Sequence, residues 1–482
     1  MTSEERNLIQ EPIFQYFHEL CQTPRPSVHE EKISAYLLKW AKDRGLDAEQ
    51  DSVNNIFIRK AATPGYENAP CIMLQAHMDM VCEKAPDAEH DFETDPIQWK
   101  IEGDRMTTGG RTTLGADDGI GVAFAMAVLA DDNLPHPELE VLFTTAEEED
   151  LSGAERFDAS KMKAAKLINL DHSCDREILC GSCGGQAVEL RVPVVSTTVP
   201  EGWTSAVLSV SGLQGGHSGE DIHRGHGNAN SLLARVLLAI EEKTAYKLGP
   251  VTGGSFRLAI PRDACAVICF PDDKKEVIKN VVQTEEKQMR RELSSTGENL
   301  HIGFQETETP LWCVDPDLVL TAMLLAPDGI YQMNESLEGL VDTSDNMGEI
   351  YLTEKELRVI FEIRSARPSL GNYIYQRICR LAKITGGTCE TSKGYPSWDF
   401  RPQSSFREIA SQTYQELFGS EPKYLTVHAG LEVGFLSEKK PDLDAIAIGP
   451  DCWNFHSPTE EMSISSARKV YQFLCGILKN CR

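Results

Sequence analysis

Apolar residues recur at intervals of three and four near both ends of the chain. Ile13, Phe17 and Leu20 follow Pro12 at helical spacing, and proline is accepted in a first helical turn. Ser27 and Glu30 form a capping-box pattern ahead of Ile33, Tyr36, Leu37 and Trp40, with Gly45 placed to end that helix. At the far end Val470, Phe473, Leu474, Ile477 and Leu478 mark another amphipathic helix. Between them, short apolar runs alternate with helical patterns. This predicts an α/β fold with a mixed, largely parallel sheet and flanking helices. Over 189–395 the pattern changes: strand candidates (Val207, Leu208, Val210; 358–363) alternate apolar and polar, and polar loops lengthen. An α+β domain is therefore expected there, inserted between two segments of the first domain, 1–188 and 396–482.

Several apolar runs end alike. The run 72–76 leads into His77 and Asp79, the run 141–145 into Glu147, Glu148 and Glu149, and the run 167–170 into Asp171. The run 445–448 is followed, past a Gly-Pro turn, by His456. In open α/β sheets the ligand site lies beyond the carboxyl ends of the strands. Buried strands that each release a histidine or an acid as they end would aim those groups at one place, which points to a metal site.

Composition narrows the possibilities. With 482 residues, roughly 100–200 per domain gives two to four domains. Apolar residues make up 41% and charged ones 25%, as in ordinary globular chains, so disordered and fibrous classes are excluded. The net charge of −27 argues against a nucleic-acid or anionic-membrane binder. No apolar run reaches the ~20 residues of a transmembrane helix, and residues 1–6 lead into no apolar stretch of a signal peptide. The 14 cysteines are scattered rather than set in a dense framework, as expected of reduced thiols in a cytoplasm.

The local chemistry has alternatives at each place. His77 and Asp79 share a face of an extended segment, and a ligand histidine wants its second ring nitrogen on a carboxylate; an isolated His-x-Asp is also common by chance. Asp117 and Asp118 lie in a Gly-rich turn before the apolar run 122–129. They could cap that helix, but its all-round apolar character buries its start, where an acid wants a cation. Four consecutive acids, Glu147 to Asp150, usually form a solvated face. Directly after a strand, one could bind metal while its neighbour serves as general base. His456 sits in a turn, and His217 lies in a Gly-rich loop of the inserted domain. Together these supply histidines and carboxylates without a thiolate, a set suited to paired Zn²⁺, Mn²⁺ or Co²⁺ doing hydrolysis.

With those residues in order, the chain resembles the co-catalytic dinuclear zinc peptidases that include aminoacylase, carnosinase and the glutamate carboxypeptidases. The resemblance runs over the full length, through LQAHMDMV at 74–81, GADDGIGVA at 115–123, AEEEDLSGA at 146–154, LINLDH at 167–172, GGHSGEDIHRGHGNAN at 215–230, HAGLEVG at 428–434 and FHSPTE at 455–460. It implies two divalent metal ions, zinc first, with cobalt or manganese as alternatives. It makes His77 and Asp171 ligands of one metal, Glu148 and His456 ligands of the other, and Asp117 the bridge, with a cis peptide to Asp118. Asp79 becomes the acid that orients His77, and Glu147 the general base. The family has two glutamates where this chain has three, so a shift to Glu148 and Glu149 stays open, and Asp150 stands where many relatives have Gly. The inserted domain becomes a lid whose His217 stabilises the oxyanion, from its own or a partner subunit. Arg364 and Asn228 become candidates for the substrate carboxylate. The implied function is a cytoplasmic metal-dependent dipeptidase acting on short peptides, Xaa-His dipeptides among them, with a homodimer through the lid as a possible assembly. The alternatives are an amidohydrolase of the same family that removes an acyl group from an amino acid, and a non-catalytic metal-containing binding protein.

Overall fold

The computed structural model describes residues 1–335, 339–392 and 394–482. The chain divides into two compact units, one of Met1–Gly181, Trp398–Thr426 and Leu431–Arg482, the other of Ser182–Ser397 and Val427–Gly430. The sequence pattern places 427–430 in the first domain, whereas these four residues pack with the second unit.

Among the described residues the first unit is built on an eight-stranded sheet in the order Asp47–Gln50, Ile56–Lys60, Leu139–Thr144, Ile72–His77, Lys166–Asn169, Asp444–Ala447, Glu177–Ser182 and Lys423–Val427. Its four middle strands run parallel, and antiparallel strands flank them, so the sheet is mixed. Strands Ile72–His77 and Leu139–Thr144 are buried along their whole length, as expected of strands covered on both faces. Helix Ala116–Ala130 is buried on almost every side, from Gly119 to Leu129, which explains its lack of a polar stripe.

The second unit is α+β. Its sheet has eleven strands among the described residues, antiparallel at every recorded pairing, with Trp203–Ser211, Ala264–Pro271, Lys247–Gly253, Val341–Leu352 and Glu356–Ser365 adjacent in that order. Helices Ala229–Glu241, Pro316–Leu325 and Pro368–Ile384 contribute Leu237, Val319 and Ile378 to its core. No helix among the described residues is long and apolar enough to cross a membrane.

Helix Pro12–Cys21 begins on proline and buries Ile13, Phe14, Phe17 and Leu20, and the last helix spans Ile464–Asn480. One local expectation fails. Helix Glu31–Asp43 has no side-chain cap at its start. Ser27 donates instead to Asp79 Oδ2 at 2.8 Å, and Glu30 accepts the N–H groups of Val28 and Ala146. Both side chains are drawn away from the helix by the strand ends beside it.

Candidate active site

His77 is the last residue of its strand and is fully buried. Its Nδ1 lies 3.4 Å from Asp79 Oδ1, its Nε2 3.0 Å from Asp117 Oδ1 and 4.0 Å from Asp171 Oδ1. Asp79 is itself fully buried and accepts the backbone N–H of Glu147 and of Glu148, each at 3.2 Å. One carboxylate thus lies beside His77 Nδ1 and holds the turn that carries the two glutamates. His456 Nε2 sits 3.0 Å from Glu148 Oε2 and 3.5 Å from Asp117 Oδ2. Asp117 therefore faces a histidine on each side.

Asp117 stands where helix Ala116–Ala130 starts, in non-helical conformation, and the Asp117–Asp118 peptide is cis. Asp118 turns inward, accepting the N–H groups of His77 and Gly121 at 3.3 and 3.2 Å. Three overlapping sets have ligand atoms within 4.8 Å of one another: His77, Asp117 and Asp171; His77, Glu147 and Glu148; Asp117, Glu148 and His456. Glu149 is exposed and belongs to none of these sets among the described residues.

The electrostatics of the cluster follow from its burial. Glu147 and Asp171 are held far above the ordinary carboxylate range by desolvation, reinforced for Glu147 by Glu148 and for Asp171 by Asp117. Burial also raises Glu148, with Asp117 adding to it against the pull of His456. For Asp117 burial works upward, but His456 and His77 outweigh it and keep the group below its usual range. Hydrogen bonds to Asp117 and Glu148 push His456 up to about 10. Burial alone would lower His77; Asp117 and Asp79 reverse that and raise it. No lysine or arginine pairs with Asp117, Glu147, Glu148 or Asp171 among the described residues. Four acids and two imidazoles packed without an organic cation fit divalent metal, and the absence of a thiolate favours the borderline and hard ions.

The second unit gathers a different group around Arg364. This arginine lies on strand Glu356–Ser365, 2% exposed, and donates to Tyr395 Oη at 2.7 Å and Ser218 Oγ at 3.3 Å. His217 Nε2 is 3.2 Å from its Nη2, and His217 Nδ1 accepts the N–H of Glu220. Burial and the neighbouring guanidinium lower the His217 pKa. Among the described residues Arg364 makes no direct ion pair, and Glu362 on the same strand acts on it only through the field. Beside His217 is a cavity of about 790 Å³, walled in part by Ser209, Thr252, Phe256 and Ile260.

Asn228 is committed elsewhere. Its Oδ1 caps helix Ala229–Glu241 through the N–H groups of Asn230 and Ser231, and its Nδ2 donates to Asp328 and to the Met347 carbonyl. Four groups are not marked by the sequence pattern. Tyr395 lies in none of the motifs, and Ser218, although within the segment 215–230, is not singled out there as a partner of Arg364. His428, in the segment 428–434, donates to or accepts from Ser344 at 2.7 Å, and burial together with Arg364 lowers it to about 3. Glu432, from the same segment, accepts from Gln75 at 2.5 Å and Thr144 at 2.6 Å, and burial raises it to about 7. A histidine and a glutamate spaced within one motif are the available signal for the last two.

A family model described as Peptidase family M20/M25/M40 matches residues 73–480. The chain is 38% identical over 480 residues to the cytosol non-specific dipeptidase of Escherichia coli, covering 99% of each. It superposes with a TM-score of 0.91 on the crystal structure of aminoacylhistidine dipeptidase from Vibrio alginolyticus, at 34% identity, covering 98% of this chain and 96% of that one. Aminopeptidase PepT from Bacillus cereus shares the fold, with a TM-score of 0.56 and 16% identity over 98% of each chain.

Asp117 and Glu148 raise His456 to about 10, and Asp117 and Asp79 raise His77, so ligation through these imidazoles should release protons as a divalent cation binds. Zn²⁺ titrated at pH 7 should therefore give calorimetric heats that vary with the ionisation enthalpy of the buffer. Heats independent of buffer would show that these imidazoles are not the ligands.

Proposed function

Since the chain belongs to peptidase family M20/M25/M40, we propose that it is a metal-dependent dipeptidase that cleaves the peptide bond of dipeptides, Xaa-His among them. The observation that carries this reading is the convergence of His77, Asp117, Glu147, Glu148, Asp171 and His456 at the ends of buried strands. Full-length similarity to two named dipeptidases supports it. His77 and Asp171 would hold one ion, Glu148 and His456 a second, and Asp117 both. Zinc is the expected metal, with cobalt or manganese able to substitute. When bound, such ions supply Lewis acidity that polarises the scissile carbonyl and acidifies water.

The remaining chemistry falls to the chain. Glu147 takes a proton from the attacking water and returns it to the leaving amine. Asp79 keeps the His77 ring in one orientation, and its two backbone contacts keep Glu147 and Glu148 in register. His217 stabilises the oxyanion as it forms. Arg364 receives the substrate carboxylate, because a buried guanidinium without an ion-pair partner favours a planar anion held bidentately. Asn228 acts through position, fixing the start of helix Ala229–Glu241. In this reading the enzyme works in the cytoplasm on small peptides rather than nucleic acid or membrane, with a homodimer through the inserted domain as a possible assembly.

A dipeptide panel with N-acyl amino acids as a second arm tests the reading. Hydrolysis of dipeptides should vanish on chelation and return with Zn²⁺ or Co²⁺; turnover of the acylated amino acids alone would move the chain to the amidohydrolases.

Glu147→Gln should retain metal and lose about 10²–10⁴-fold in turnover. If Glu148→Gln is the metal-replete inactive variant instead, the base is Glu148 and the assignment shifts by one residue.

His217→Ala should lower kcat by about 10²–10³-fold with metal content unchanged, and the loss should fall on kcat more than KM because the oxyanion develops in the transition state. Turnover near wild type would remove His217 from the chemistry.

A further inference from the structure

The best-satisfied carboxylate of the first unit is not a ligand candidate. Glu460 is 2% exposed. Its Oε2 accepts the N–H groups of Leu114 and Gly115 at 2.8 and 3.0 Å, and its Oε1 those of Ala116 and Asp117 at 2.8 and 3.4 Å. These donors belong to the start of helix Ala116–Ala130, whose N-cap is Gly115 at φ 68°. A glycine has no side chain to cap with, and the first N–H groups of a helix have no partner within it. Successive N–H groups in such a turn form an anion-binding concavity, and the anion here arrives from 343 residues further along the chain.

We infer that Glu460 is a positioning residue for the metal ligands: it sets where Asp117 stands and, through its own turn, where His456 stands relative to it. This rests on the reading of the cluster as a metal site. Strand Glu461–Ser463 pairs with Arg105–Thr107 in the register Glu461↔Thr107, which delivers Glu460 to the loop that follows Thr107. The turn ahead of Glu460 is closed on itself. Ser457 Oγ donates to the Asn454 carbonyl at 2.7 Å, Asn454 Nδ2 to the Thr459 carbonyl at 3.2 Å, and the Glu460 N–H to the Ser457 carbonyl at 3.1 Å. His456 rides on that turn at φ 56°, a conformation the turn must enforce. A turn rigid within itself and clamped at Glu460 brings His456 Nε2 to 3.5 Å from Asp117 Oδ2. On the other side Arg25, 3% exposed, donates to the carbonyls of Met78, Asp79 and Gly115. The backbone that carries Asp117 is therefore held by a carboxylate on its N–H groups and by a guanidinium on a carbonyl.

A plain helix cap predicts something different. It would contribute to stability and leave metal affinity alone, whereas supporting groups behind metal ligands typically change affinity about 10–100-fold. Glu460→Gln keeps the volume but presents an NH₂ group to two of the four backbone donors. Zn²⁺ affinity, read by competition with a fluorescent chelator on protein whose fold is checked by circular dichroism, should fall about 10–100-fold, and the Zn²⁺ concentration needed for half-maximal activity should rise in step. Glu461→Gln, the same charge change on the neighbouring half-exposed residue that lies 3.9 Å from Arg105, should match wild type. A folded Glu460→Gln protein with wild-type Zn²⁺ affinity overturns the inference, even where its melting temperature has dropped. If that variant does not fold, Glu460→Asp decides: it keeps the charge but is too short to reach all four N–H groups, so weakened Zn²⁺ binding supports the assignment and wild-type binding overturns it. A wild-type count of one ion would count against two metals only, and the ratio of variant to wild-type affinity for that ion would still decide the role of Glu460.

Discussion

The first unit is organised around a concentration of buried and half-buried acids, and the hydrogen-bond partners of each separate two kinds. Asp79, Asp118, Glu30 and Glu460 all accept backbone N–H groups. Each ties one segment to another through these backbone bonds, while burial still holds Asp118, Glu30 and Glu460 above the ordinary carboxylate range. Asp117, Glu147, Glu148 and Asp171 form the other kind. Asp117 and Glu148 meet histidines, and no lysine or arginine pairs with any of the four among the described residues. Burying carboxylates without enough donors or cations is costly. The fold concentrates that cost at one spot, which is the physical signature of groups kept for an external cation.

That constraint explains why so much of the site was legible in the sequence. A parallel strand buried on both faces reads as a short apolar run, and the residues just past its carboxyl end lie near those just past the ends of its neighbours. Strands Ile72–His77 and Leu139–Thr144 pair in the register His77↔Thr144, so His77 and the turn of Glu147 and Glu148 become neighbours once both strands are recognised. The position of Asp117 at the start of an all-apolar helix was readable for the same reason. The inserted domain showed itself through a change of period, from continuous apolar runs to alternation.

The supporting residues were hidden because their partners are remote and their local patterns mean something else. Ser27 and Glu30 match a capping box, yet Ser27 reaches Asp79 and Glu30 reaches Ala146. A helix end exposed to water would have kept them; beside buried strand ends, the N–H groups and the carboxylate there compete better. Glu460 follows the ligand candidate His456 within a motif, but its role depends on the strand register Glu461↔Thr107, which no local spacing reports. Asn228, a candidate for the substrate carboxylate from the sequence, caps helix Ala229–Glu241 and donates to Asp328 and the Met347 carbonyl, contacts that no local spacing reports.

The second unit carries the converse imbalance. Arg364 is buried more completely than Asp117, Glu147, Glu148 or Asp171, and its hydrogen-bond partners Tyr395 and Ser218 are neutral. The one buried carboxylate on its own strand, Glu362, is already bonded to Arg257 at 2.9 Å. A guanidinium cannot shed its proton to escape burial as a lysine can, so the charge persists, with Glu362 contributing to its stabilisation through the field rather than by direct contact. Within the second unit Arg364 is therefore a cation whose direct hydrogen-bond partners are neutral, and that chemistry is what the proposed contact with a substrate carboxylate rests on.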